Sequence, residues 1–132
     1  MRAQALAGDA QRTTLTIPPD VALVRLARLV ATGIGSGLGM GVDEVEDLRI
    51  AADEACCLLL ERHPPDEVRM MFTAHDGRVD VEVSCPLPAD RTRPAGFGAD
   101  VLTAVTHTWD WVDDDIRLTV RFTLAVSAPP SV

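Results

Sequence analysis

The residues in this chain able to do chemistry are few, and most sit where a plain structural role competes. Gly96 and Gly98 stand two apart ahead of the apolar run Ala99 to Val105. A glycine pair opening a helix offers bare N–H groups to an anion; the same pair equally suits a tight turn and a helix start. The series Gly33, Gly35, Gly37, Gly39 and Gly41 superficially suggests a phosphate loop. It lacks a following Lys-Ser/Thr and a preceding strand, so it reads as a flexible helix end. Cys56, Cys57 and Cys85 form no C-x-x-C, and His63, His75 and His107 are scattered. Reduced thiols fit that pattern better than a metal or redox centre. Asp113, Asp114 and Asp115 suit a solvated turn more than a cation site. Arg25 and Arg28 place two guanidinium groups on one helical face, for a partner or for surface ion pairing. Trp109 and Trp111, spaced by two, point to one side of a strand, for core or interface packing.

The elements positioning these residues follow from periodicity. Thr13 to Ile17 is β-prone and stops at Pro18-Pro19. Asp20 sits as an N-cap for a helix whose apolar stripe is Leu23, Leu26, Val30, Ile34 and Leu38, ending among the glycines. Asp43, with Glu46 three positions on, is placed to cap a second helix. Its seam is Val45, Leu48, Ala52, Ala55 and Leu59, and it ends before Pro64-Pro65. Strands over about 67–74 and 79–85 join at Asp76-Gly77, and Val79, Val81 and Val83 alternate with polar residues. A Pro-rich charged loop leads to the third helix, and a hairpin around Asp113–Asp115 closes the chain.

The expected order is β-α-α-β-β-α-β-β. That describes an α+β two-layer sandwich, a mostly antiparallel sheet with helices on one face. Residues 1–12 and 127–132 read as flexible tails around a single domain over 13–126. The 132 residues suit one domain. Twelve basic against twenty acidic residues leave a net charge of −8, which argues against sequence-independent nucleic-acid binding. No run reaches the roughly 20 apolar residues of a membrane span, and the N-terminus lacks a signal h-region. A reduced cytoplasmic setting is the expectation.

With that order, Asp47-Leu-Arg-Ile-Ala-Ala-Asp-Glu-Ala-Cys56 on the second helix and Gly96-Phe-Gly98 opening the third, the chain resembles the RsbW-like anti-sigma factor and serine-protein kinase family of the GHKL ATPase fold. The resemblance implies a Glu-x-x-x-Asn pair on the second helix, one turn apart, the Asn on Mg²⁺ and the Glu activating the attacking hydroxyl. Glu54 holds the first position, but Leu58 holds the second. The family's adenine-reading Asp-x-Gly-x-Gly is replaced by Ser84-Cys85-Pro86-Leu87-Pro88, and the Gly-Thr ahead of the last strand is absent. Gly96 and Gly98 match the phosphate-cradling glycines. A lost metal ligand and a lost adenine acceptor each weaken ATP binding by about 1–3 kcal/mol, together roughly two decades or more.

The resemblance therefore implies a degenerate nucleotide pocket at Glu54, Gly96 and Gly98, with no required cofactor and at most weak ATP and Mg binding. It implies an anti-sigma factor that sequesters an alternative RNA polymerase sigma factor through Arg25 and Arg28, is relieved by a STAS-domain anti-anti-sigma protein, and forms a homodimer. Two other readings stand beside it. One is an active serine kinase with Glu54 as catalytic base; the other is a small-molecule-binding domain using the altered pocket.

Overall fold

A computed structural model describes residues 2–6 and 11–127. Six strands, β1 (Arg2–Leu6), β2 (Gln11–Ile17), β3 (Val68–His75), β4 (Arg78–Pro86), β5 (Thr108–Asp113) and β6 (Arg117–Ala125), form one sheet in the order β1-β2-β3-β4-β6-β5. Every neighbouring pair is antiparallel. Helices α1 (Val24–Gly37), α2 (Val42–Leu60) and α3 (Phe97–Val105) cover one face, with α2 over β4 and β6 between the other two. The two-layer α+β architecture stands as expected. No described helix is long and apolar enough to cross a membrane.

Register explains the layers. The row Leu15, Met70, Val83, Val120 and Trp111 crosses five strands on the helix side. One position along, Thr14, Met71, Glu82, Arg121 and Asp110 run across the side no helix covers. The period-two alternation thus divides core from an open polar face. Asp76 and Gly77 both take positive φ, 48° and 73°, as a two-residue hairpin turn requires.

Four local expectations are corrected. Residues 2–6 fall in the expected tail, yet they pair antiparallel with β2 as an edge strand, and β2 starts at Gln11. The order gains a leading strand, because the backbone groups of β2 bond on both sides. Of the C-terminal tail, Ser127 donates its N–H to Glu44 Oε2 at 2.9 Å, and residues 128–132 lie outside the described residues.

On α1 the fully buried line is Val24, Ala27, Ala31 and Gly35, with the larger aliphatics half-buried beside it. Small residues let α1 approach α2 closely: a Cβ on Gly35 would lie 3.1 Å from Met40 Sδ and from Val45 Cγ2. A single 3-10 turn, Val21–Leu23, precedes α1, and Asp20 caps it by accepting from the Ala22 N–H.

The cap of α2 is Gly41, whose N–H goes to Glu44 Oε1 at 2.9 Å, rather than Asp43 with Glu46; Glu46 pairs with Arg49 instead. The shift follows from how α1 ends. Gly39 at φ 76° turns the chain, with Met40 N–H on Gly35 O and Gly39 N–H on Ser36 O. This Schellman closure releases the backbone in time for α2 to begin at Val42.

Candidate functional site

Glu54, Leu58, Gly96 and Gly98 are brought together where the start of α3 meets the second half of α2. Ala55, Cys56 and Leu59 anchor α2 in the core, which leaves Glu54 and Leu58, one turn apart, facing α3. Leu58 is 5% exposed. A Cβ on Gly98 would lie 2.9 Å from Leu58 Cδ2 and 3.2 Å from Glu54 Oε2. A larger residue there would force the Leu58 and Glu54 side chains to shift. Gly96 takes φ 89° and ψ −149°, a conformation nearly restricted to glycine, and it swings the loop into the helix.

Glu54 is half-buried. Burial, followed by the charges of Asp53 and Glu61, pushes its carboxyl pKa up. Cys85, in the segment that replaces the adenine-reading motif, is buried among core residues, and burial pushes its thiol up to about 11.

The loop between β4 and α3, read from sequence as a charged Pro-rich connection, is fastened over this region by three arginines. Arg62, just past α2, donates Nη1 to Leu58 O at 2.6 Å and both Nε and Nη2 to Thr92 O, at 3.0 and 2.7 Å. Its guanidinium lies 4.6 Å from the Trp111 ring centre, and that of Arg93 lies 5.2 Å from Trp109. Arg91 bonds both oxygens of Asp113 at 2.6 Å and Asp115 at 2.5 Å. The indole N–H of Trp109 donates to Thr103 Oγ1 at 2.9 Å. The tryptophans are thus packing residues capped by cations. Sequence reasoning missed Arg62; a cation following the last turn of a helix was the available signal.

The other candidates lie apart from this cluster. Arg25 is exposed on α1, and Arg28, on the same face, has its Nε 4.0 Å from Asp53 Oδ2 of α2. That Nε is buried and makes no hydrogen bond among the described residues. Cys57 Sγ contacts Asp53 Oδ1 at 3.6 Å; burial and then Asp53 push the thiol to about 11. Among the described residues, no group of three or more His, Cys, Asp or Glu converges as a metal site.

The donor set beside Gly98 does not fit Mg²⁺ with a nucleotide. Leu58 offers no lone pair at the position where the resemblance places a metal ligand, and its methyl fills the space under the glycine.

Similarity to known proteins comes from curated sequences and from a solved structure. No family model matches the chain. Over 77 residues it is 25% identical to the serine-protein kinase RsbW of Bacillus thuringiensis (strain Al Hakam), and equally to those of Bacillus cereus (strain AH820) and Bacillus anthracis. That stretch covers 56% of this chain and 48% of each relative, so it spans about half the length of the curated relatives it matches. The fold is similar to the crystal structure of the RsbU and RsbW domains of Rv1364c from Mycobacterium tuberculosis. The TM-score is 0.71 at 15% identity, covering 88% of this chain and 33% of that one.

Proposed function

We propose that this RsbW-like chain is an anti-sigma factor: it binds an alternative RNA polymerase sigma factor, holds it from the polymerase, and releases it when a STAS-domain antagonist competes. The observation that carries this reading is the packing of Gly98 on Leu58 beside Glu54. The side chain at the position where the resemblance puts a metal ligand is a nearly buried leucine, which supports binding over phosphate transfer.

Partner exchange needs only a difference in binding free energy between two partners, so it runs without a nucleotide. Arg25 and Arg28 are the contact residues in this reading. A carboxylate from the sigma factor would pair with the exposed part of the Arg28 side chain. The net charge of −8 speeds encounter with the basic surface of a DNA-binding subunit. A homodimer formed beside β1 and α1 belongs to the same proposal.

The test mixes the purified chain with candidate alternative sigma factors and reads complex formation by size exclusion and inhibition by run-off transcription. Stoichiometric inhibition without ATP is expected, and Arg28→Glu should weaken the complex at least tenfold while circular dichroism stays unchanged. Phosphate transfer from ATP to a STAS-domain protein, abolished in Glu54→Ala, would replace this reading with the serine-kinase one. Failure to capture any sigma factor, together with thermal stabilisation by a metabolite, would favour a small-molecule domain.

A further inference from the structure

At one end of the uncovered sheet face, away from the helices and from Glu54, two arginines share a notch of about 160 Å³ lined by Thr16, Asp66, Glu67, Arg69, Pro86 and Arg117. By share of liquid volume that is room for about five waters, ample for a tetrahedral oxyanion. Register builds the notch. Thr16, Arg69, Ser84 and Thr119 lie side by side across β2, β3, β4 and β6, and Arg117 stands opposite Pro86 two pairs further on, on the same face. Arg117 Nε donates to Ser84 Oγ at 3.1 Å. The two hydroxyl residues are nearly buried, Thr16 at 7% and Ser84 at 6% exposed.

We infer that this notch binds a phosphate-type dianion, gripped by the Arg69 and Arg117 guanidiniums with the Thr16 hydroxyl as a neutral donor and Ser84 holding Arg117 in place. The inference is independent of the anti-sigma reading.

Elsewhere on the open face Arg78 and His75 pair with Asp80, and Arg121 with Asp110, while Arg12 stands alone rather than beside a second unpaired guanidinium. Among the described residues, neither Arg69 nor Arg117 has a carboxylate within ion-pair distance; the arginines that do are Arg28, Arg49, Arg78, Arg91 and Arg121. Asp66 and Glu67 share the notch but form no ion pair with either arginine, so both guanidinium forks remain open to an oxyanion that can take them together. Burial, and then the charge of Arg69, disfavour the Arg117 cation.

Of these two carboxylates, Asp66 Oδ1 is occupied by the Glu67 N–H at 2.8 Å. Their charge repels any anion, a dianion most, so binding there rests on bidentate hydrogen bonds to both guanidiniums. Arginine is suited to that geometry. All twelve basic residues of the chain are arginine.

The test titrates the full chain at pH 7.5 and constant ionic strength with inorganic phosphate, following arginine Nε–H resonances by NMR. Saturable shifts at Arg69 and Arg117, with Arg12 and Arg121 on the same face unmoved, are expected. Arg69→Gln should weaken binding at least tenfold, and Arg117→Gln likewise. Should Arg117→Gln fail to fold, Arg69→Gln decides, since its side chain is exposed. A second arm uses a neutral phosphoserine peptide and its unphosphorylated form. Tighter binding of the phosphopeptide alone assigns the site to protein-borne phosphate, and tighter binding of inorganic phosphate assigns it to the free ion. Shifts that fail to saturate, that appear equally at Arg12 and Arg121, or that survive Arg69→Gln overturn the inference.

Discussion

Leu58 and Gly98 touch so closely that a methyl group on residue 98 would come within 2.9 Å of Leu58 Cδ2. Gly98→Ala should therefore destabilise by about 1 kcal/mol, the overpacking cost exceeding the gain in helix propensity. Leu58→Ala alone should cost about 2–4 kcal/mol as a cavity in the core. In the Leu58→Ala background the sign at residue 98 reverses: alanine fills vacated space and stabilises. Urea unfolding of the four proteins checks this, and a double variant that merely sums the two losses refutes the contact.

Glycines thirty-three and thirty-nine should respond in opposite directions. Gly33 lies inside α1 with no heavy atom near its absent Cβ, so Gly33→Ala should stabilise by about 0.5–1 kcal/mol. Gly39 holds φ 76° in the Schellman closure, and Gly39→Ala should cost about 1 kcal/mol. Thermal unfolding measures both shifts.

The thiols should be slow. Burial holds Cys57 and Cys85 at about 11 and raises Cys56 further still. At pH 8 alkylation by iodoacetamide should run about two orders of magnitude below that of an ordinary cysteine, since only the thiolate reacts. Cys57, the one thiol that is not fully covered, should react first. In denaturant all three should react together.

Two carboxylates should leave opposite marks on the pH profile of stability. Burial raises Glu54, so the folded protein holds that proton more tightly than the unfolded chain. Its contribution is present below the ordinary glutamate value of about 4.3 and is lost as pH rises through the elevated one. Glu54→Gln should stabilise at pH 7 and change nothing near pH 3.5. Asp113 is held low, first by the Arg91 hydrogen bonds and then by the Asp115 N–H. Asp113→Asn should destabilise at pH 7, an effect that vanishes as pH falls through the depressed value. Denaturant midpoints at several pH values separate the two.

How much of this was legible beforehand depends on the range of each interaction. The alternation of Val79, Val81 and Val83, the Asp76-Gly77 turn and the breaks at Pro18-Pro19 and Pro64-Pro65 act between near neighbours, and all appear where the sequence places them. Cap positions slipped because Gly41 and Glu44 are chosen by the way α1 terminates, and a propensity for Asp at an N-cap does not contain that information.

The amino-acid order by itself determined which segments alternate, which turn, and that Leu58 brings no metal-binding oxygen to α2. Tertiary structure alone decided that Leu58 lies under Gly98, that Arg62 reaches Thr92 thirty positions away, and that Arg69 and Arg117 share one notch. The physical reason is that a local period constrains only residues within a turn or a hairpin. Pairs drawn from separate elements meet only after helices and strands have stacked, at positions set by the register of the whole sheet.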